Sequence, residues 1–237
     1  MSRKPEAVLI TAGTKRLGFH IAKASLALGY SVILHYRSSD RTARHWLQRH
    51  PEYASRVHFL QQDLTTHPES LIEAALDLPC RLTGLVNNAS LFSRGDLSDC
   101  IHLRSMLDIH LLVPAVLGTT FADHIRKGWI ITITDALAGR TNVAWQNYRM
   151  SKLFLEELTR QQALRFAPEL RVNAIAPGAV LPSSETGTAA FRNLATLIPL
   201  RKTTPVAAIT DAYRFLISTT SCTGQIIRID GGWSLTP

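Results

Sequence analysis

The sequence predicts a single doubly wound α/β domain built on a parallel sheet of about seven strands. Three observations carry the prediction. Short apolar, β-branched runs alternate with segments of helical periodicity along the whole chain. A chain of 237 residues, 46% hydrophobic and 19% charged, can bury one substantial core. No internal repeat, low-complexity tract or interior linker divides it, so residues 1–237 are expected to form one domain.

The strands are expected at 7–11 (AVLIT), 31–36 (SVILHY), 57–60 (VHFL), 82–88 (LTGLVNN), 129–134 (WIITIT), 172–177 (VNAIAP) and 225–230 (QIIRID). Strands covered by helices on both faces read as near-continuous apolar runs, as these do. After the first strand Leu17, Ile21, Ala24, Ser25 and Leu28 recur at helical spacing, and so, later, do Tyr148, Lys152, Leu155 and Leu158. The order is βαβαβ followed by a second βαβ set. Residues 179–204 are rich in Ser, Thr, Pro and small residues without strong periodicity, and read as a mobile loop or lid over a substrate.

The bulk properties exclude several classes. The formal charge is +8, but Lys and Arg are scattered and no basic run is interleaved with aromatics, so nucleic acid is not expected as a partner. The positive field instead suits an anionic small ligand. Cys80, Cys100 and Cys222 stand far apart without metal spacing, which predicts free thiols, no metal site and a reducing compartment. No run approaches the roughly 20 apolar residues of a membrane span, and the N-terminus lacks a cleavable-signal pattern. A cytoplasmic protein with no membrane partner is the expectation.

The first strand runs through Thr11-Ala12-Gly13-Thr14-Lys15-Arg16-Leu17-Gly18 straight into a helix. Small residues let backbone amides approach a pyrophosphate, and a helix N-terminus adds N–H donors and a favourable dipole. An ordinary βα turn is the alternative, because Ala12 and Arg16 occupy two usual glycine positions. On the cofactor reading Gly13, Lys15, Arg16 and Leu17 belong to the site. The second strand ends His35-Tyr36-Arg37-Ser38-Ser39, with no acid before Asp40 to bind ribose hydroxyls. Lys15, Arg37 and Ser38 offer donors to a 2′-phosphate instead, which favours NADPH over NADH; a solvated loop charge is the other reading of Arg37. His35 is counted with this end of the site. Asp63, followed by Leu64, is an adenine contact or the cap of Asp-Leu-Thr-Thr.

Tyr148-Arg149-Met150-Ser151-Lys152, Asn87-Asn88-Ala89, Pro177-Gly178 and Asp230-Gly231-Gly232 together resemble a short-chain dehydrogenase/reductase from end to end, a Rossmann-type fold. On a helix, positions i and i+4 share a face, which puts Lys152 beside Tyr148. A nearby ammonium favours phenolate and is expected to lower the tyrosine pKa toward working pH, as suits a general acid. An exposed helix pair is the alternative. The resemblance implies that Lys152 also holds the nicotinamide ribose, and that Asn88, Ala89, Tyr148, Pro177 and Gly178 contact the cofactor.

Three departures narrow the resemblance. Asp135, in Thr134-Asp135-Ala136, replaces the usual serine thirteen residues before the tyrosine. Arg16 replaces a glycine, and Ser90 with Phe92 follows Asn-Asn-Ala. The combination, with the ending Asp230-Gly231-Gly232-Trp233-Ser234-Leu235-Thr236, resembles the pteridine reductases and bacterial dihydromonapterin reductases. A carboxylate there would repel a developing alkoxide, whereas a pterin presents donors. The resemblance implies a flat pterin between nicotinamide and Phe92, with Ser90 and Arg16 touching its polar edge and the cofactor phosphates. Taken singly, Asp135 can cap a loop, Phe92 can be core and Arg16 can bind phosphate alone. His110 stands where most members place a proton-relay asparagine; imidazole also relays, and a buried structural histidine is the alternative.

The function so implied is NADPH-dependent reduction of a 7,8-dihydropterin such as dihydromonapterin, dihydrobiopterin or dihydrofolate. The rivals are a carbonyl reductase of the same fold, for instance on 3-oxoacyl thioesters, and an idle NADPH-binding sensor, against which the Tyr148/Lys152 pair argues. The resemblance also implies a homotetramer, with the C-terminal segment near a neighbouring subunit.

Overall fold

The computed structural model describes residues 4–183 and 187–236, and three residues of the expected 179–204 lid, 184–186, lie outside them. Seven strands form one parallel sheet in the order β3-β2-β1-β4-β5-β6-β7. They are β1 (Glu6–Ile10), β2 (Ser31–Tyr36), β3 (Val57–Gln61), β4 (Arg81–Asn87), β5 (Gly128–Ile133), β6 (Leu170–Pro177) and β7 (Ile226–Ile229). The helices between them are α1 (Arg16–Ala27), α2 (Arg41–Gln48), α3 (Glu69–Leu76), α4 (Cys100–Leu107), α5 (Val113–His124), α6 (Gln146–Arg165), α7 (Gly187–Asn193) and α8 (Val206–Ser218).

Alternation along each strand sorts side chains into two cores. Val8 and Ile10 of β1 face Phe19 and Ile21 of α1 and Ile209, Tyr213 and Leu216 of α8. Ala7 and Leu9 face the other way, toward Leu71 and Ile72 of α3, Leu117 and Phe121 of α5, and Ala163 of α6. Each large apolar side chain so buried contributes on the order of 1.5–3 kcal/mol. One polar tie crosses the first core: the Ser25 and Tyr213 hydroxyls lie 2.6 Å apart and bind α1 to α8.

The chain leaves β1 toward β2 and β3, then returns to β4 on the other side of β1. That reversal opens a crevice beyond the carboxyl ends of β1 and β4, where ligands of open parallel sheets bind. The β1–α1 turn, the segment after β4 and the N-terminal end of α6 converge on it.

Two elements differ from the sequence reading. Within 179–204 the structure holds α7 and a 3-10 turn at Leu194–Leu197, neither with a fully buried residue. A helix lying on the surface needs no apolar stripe, so no periodicity announced it. Second, α4, a π-helical turn at Asp108–Leu112 and α5 run as one helix, Cys100–His124, long and apolar enough by length and composition to cross a membrane. Arg104 and Asp108 interrupt it in sequence, and Met106, Val113, Leu117 and Phe121 turn its inner face into the core.

Candidate active site

The β1–α1 turn is held from three sides. Thr11 Oγ1 accepts the backbone N–H groups of Asn88 (2.8 Å) and Ala89 (2.9 Å), and the Asn88 side-chain amide donates back to the Thr11 carbonyl at 2.9 Å. His35 Nε2 donates to the Gln62 carbonyl at 3.0 Å, which leaves Nδ1 to accept the Ala12 N–H at 3.1 Å. Burial holds the His35 pKa below its ordinary value and keeps this tautomer neutral. Ala12 and Arg16, the two residues at usual glycine positions, have φ of 49° and 50°. Side chains there sit in the left-handed region at a cost of roughly 1–2 kcal/mol each. Gly18 has no such freedom of replacement: an added Cβ would lie 2.5 Å from the Asn88 amide and 2.6 Å from the Ala12 carbonyl oxygen.

Two cavities open from this turn. The smaller, about 170 Å³, brings together Lys15, His35, Arg37 and Ser38 with Asp63, Leu64 and Ala89. Asp40, the first acid after β2, is paired with Arg44 and does not line this cavity. Asp63 Oδ1 accepts the Thr65 N–H (3.0 Å) and hydroxyl (2.8 Å), so it shapes its own turn as well as the cavity wall. Exposed Lys15, Arg37 and Ser38 around a space with no carboxylate at the strand end fit a ribose 2′-phosphate. Gly13 lines neither cavity; it is packed against Ile10 and Leu34.

The larger cleft, about 760 Å³, brings together the remaining predicted residues except His110. Lys15, Arg16, Leu17 and Asn88 form the end next to the β1–α1 turn, Ser90 and Phe92 one wall, and Pro177 and Gly178 the far rim. Asp135, Tyr148 and Lys152 form its floor. The Tyr148 hydroxyl donates to Asp135 Oδ2 at 3.0 Å, while Asp135 Oδ1 accepts the Leu137 N–H at 2.8 Å. Lys152 Nζ donates to the Ile133 carbonyl at 3.1 Å and lies 5.8 Å from the Tyr148 ring centre.

The electrostatics correct one expectation. Lys152 was to draw Tyr148 toward phenolate, but burial and the Asp135 carboxylate hold the phenol well above its ordinary pKa. A neighbouring anion that accepts the phenolic proton outweighs an ammonium that touches only the ring. Burial raises the Asp135 carboxyl and lowers the Lys152 ammonium to about 8. The group therefore enters a reaction as a neutral phenol, a carboxylate primed to take a proton and a lysine close to losing one.

Phe92 is 39% exposed and stacks on Trp145 at 4.5 Å and 22°. Trp145 covers one face, so the opposite face of Phe92 is the one available to a ligand. Trp145 ends the short 3-10 turn Val143–Trp145 and caps α6, and its place three residues before Tyr148 is its only signal in the sequence. Trp233 also lines the cleft, carried there by the turn after β7, and has no such local signal. Arg16 reaches across the cleft and donates to the Pro182 carbonyl at 2.8 Å, tying the phosphate turn to the start of the predicted lid. His110 lies behind the wall, fully buried, bonded to Ser90 and Ser151.

Residues 12–234 match the family model described as Enoyl-(Acyl carrier protein) reductase. The chain belongs to the short-chain dehydrogenase/reductase family. Among its relatives, dihydromonapterin reductase of Enterobacter sp. (strain 638) is 29% identical over 95% of both chains. Pteridine reductase 1 of Leishmania tarentolae is 28% identical over 100% of this chain and 99% of its own. A crystal structure of FolM alternative dihydrofolate reductase 1 from Brucella suis in complex with NADP superposes with a TM-score of 0.92 at 29% identity, covering 98% of this chain and 96% of that one. The family membership accounts for the doubly wound sheet and for the motifs at Asn87, Tyr148, Lys152 and Asp230.

Proposed function

We propose that this chain reduces a 7,8-dihydropterin to the tetrahydropterin with NADPH. The observation that carries the reading is the bond from Tyr148 to Asp135 on the floor of the cleft. A carbonyl reductase needs a neutral donor beside its tyrosine, since a carboxylate opposes an alkoxide forming within hydrogen-bond reach. A pterin brings N–H and amino donors that a carboxylate accepts, and a flat ring that the free face of Phe92 covers. Kinship with a dihydromonapterin reductase and a pteridine reductase supports the same substrate class.

Bound NADPH would supply a hydride from its nicotinamide, taken up at C6 of the pterin. Lys15, Arg37 and Ser38 hold the 2′-phosphate, with His35, Asp63 and Leu64 around the adenine end. Gly13, Arg16, Leu17, Asn88 and Ala89 form or brace the pyrophosphate turn. Lys152 holds the nicotinamide ribose, and Pro177 and Gly178 close the carboxamide side. The proton for N5 comes from the group of Tyr148, Asp135 and Lys152, directly or through a water that they orient. One proton and one hydride are consumed, so the products are NADP⁺ and the tetrahydropterin.

Residues 1–237 act as one domain on this reading, with 179–204 covering the substrate, in a homotetramer. Exposed Leu112, Val116, Leu153 and Phe154 on α5, its preceding turn and α6 provide an apolar surface for a second copy. Free thiols at Cys80, Cys100 and Cys222 suit the cytoplasm. The test is NADPH oxidation with dihydrobiopterin, dihydromonapterin, dihydrofolate and an acetoacetyl thioester. Turnover of a dihydropterin well above that of the thioester is expected; the reverse order would hand the site to a carbonyl reductase.

A further inference from the structure

Behind the wall of the cleft lies a chain of hydrogen bonds whose protons can be counted. Ser90 Oγ is 2.8 Å from His110 Nε2, His110 Nδ1 is 2.8 Å from Ser151 Oγ, and Ser151 Oγ is 2.7 Å from the Tyr148 carbonyl. Ser90 Oγ also lies 3.1 Å from the Leu91 carbonyl. His110 and Ser151 are both completely buried, whereas Ser90 is exposed to the cleft. A hydroxyl has one proton, a neutral imidazole has one, and a carbonyl has none.

Two neutral arrangements are available. If Nε2 carried the imidazole proton, Ser151 would have to donate to Nδ1, and its lone pairs would face the Tyr148 carbonyl at 2.7 Å with no water to intervene. If Nδ1 carries it, Nδ1–H donates to Ser151, Ser151 donates to the Tyr148 carbonyl, and Nε2 accepts from Ser90. Every buried contact is then served. The contact given up is the longest, at 3.1 Å, and involves Leu91, which is 37% exposed and open to water. An unmade buried bond costs more than an exposed one, so the second arrangement prevails. Burial, with Lys152 nearby, keeps the ring neutral.

We infer that His110 is a positioning residue: as its Nδ1–H tautomer it accepts the Ser90 hydroxyl's hydrogen bond at Nε2 and leaves Ser90 facing the cleft as an acceptor only. The chain ends on a peptide carbonyl, which cannot pass a proton onward, so it is no path to Lys152. An acceptor-only hydroxyl selects a ligand N–H or amino group and gives nothing to a phosphate oxygen. The two jobs at this wall therefore separate, N–H recognition at Ser90 and phosphate binding at Lys15 and Arg16. This deepens the dihydropterin reading and rests on it for the ligand's identity.

The ring state is read by nitrogen-15 NMR of His110 in the wild-type protein and in Ser90→Ala. A protonated Nδ1 and a lone-pair Nε2 are expected in both; a protonated Nε2 in the wild type would overturn the inference. Kinetics with NADPH and dihydromonapterin read the consequence. Ser90→Ala and His110→Ala should each raise KM roughly threefold to tenfold with kcat within about twofold, and the double variant should be no worse than Ser90→Ala. His110→Gln, whose amide oxygen can take the place of Nε2 but which has no imidazole, should recover most of the KM. A loss of kcat without a rise in KM, or additive losses in the double variant, would make His110 a relay or an independent prop and sink the inference. Should His110→Ala fail to fold, the NMR result and Ser90→Ala decide. Should the wild type reduce no dihydropterin, the functional reading fails alone, because the NMR result still stands or falls by itself.

Discussion

A buried phenol that donates a hydrogen bond to a carboxylate 3.0 Å away keeps its proton and is not poised as a phenolate. To deliver that proton elsewhere, Tyr148 must give up its hydrogen bond to Asp135, so the two side chains act together. Tyr148→Phe, which keeps the ring and its packing, is expected to leave NADPH binding intact and lower dihydropterin turnover by roughly 10²–10⁴; near-normal turnover would pass the donor role to Asp135 or water. Asp135→Ser restores the side chain of the carbonyl reductases, and pterin turnover should fall while NADPH affinity holds. Unchanged pterin kinetics would remove the main support for a pterin. Lys152 adds a pH limb. Its folded pKa of about 8 lies below the 10.5 of an exposed lysine, so the ammonium proposed to hold the ribose is lost as pH rises through about 8. NADPH affinity measured against pH should weaken above that point in the wild type; a flat profile to higher pH would mean that Lys152 stays charged or does not bind the cofactor. The same shift works the other way on folding. Between about 8 and 10.5 the unfolded chain keeps a proton that the folded one gives up, so the cost of burying this ammonium eases as pH rises.

The phosphate turn is an element in which nearly every bond is long-range, and it shows what a sequence does and does not reveal. All seven strands, β1 to β7, were legible within two residues at their ends, because strands packed in a parallel sheet are nearly unbroken apolar runs. Tyr148 and Lys152 were legible because helical spacing alone brings them together. The grip of Thr11 on residues 88 and 89, and of His35 on Ala12, has no period to detect, and the reversal of Tyr148 acidity needed the depth of the site. His35 yields a prediction for the element. Its folded pKa is depressed, so between 6.5 and the lower folded value the unfolded chain takes up a proton that the folded chain refuses. Stability is full above 6.5 and is lost as pH falls below it; His110, lowered further, acts in the same sense. Thermal unfolding from about pH 7 to about pH 5 should show a falling midpoint, and His35→Gln, which costs roughly 1–2 kcal/mol at neutral pH, should flatten the slope. An equal slope in that variant would clear His35 of the effect. At the end of the same strand, Arg37→Asp should narrow or reverse the preference for NADPH by repelling the 2′-phosphate and accepting from a ribose hydroxyl. Wild-type use of NADH as readily as NADPH would defeat that assignment.

At the scale of the molecule, the apolarity that gives Cys100–His124 the composition of a membrane span is divided between two destinations. Met106, Val113, Leu117 and Phe121 go to the core, and Ile101, 83% exposed, Leu112, 54%, and Val116, 37%, do not. Leu153 and Phe154 stand half-exposed on α6, which packs against the same helix, so the contact proposed for a second copy draws on both helices. Leaving such a surface in water forgoes about 25 cal/mol for each Å² that a second copy would cover. A two-fold contact presents every residue to both partners, so a substitution on it counts twice. Such a contact alone makes a dimer, so in the homotetramer proposed above, which needs a second contact as well, the wild-type protein is expected to run in solution at about four times its 26.3 kDa chain mass, as measured by light scattering after size exclusion. Val116→Asp with Phe154→Asp should reduce that mass, because each copy would bring two carboxylates into an apolar contact where neither finds a partner. Both positions are partly solvent-exposed in the isolated chain, so far-ultraviolet circular dichroism should be unchanged and the smaller particle should be folded. Lower pterin turnover in the smaller particle would show that assembly steadies α6, which carries Tyr148 and Lys152 beside this surface. A variant that keeps the full mass would move the subunit contact elsewhere on the molecule.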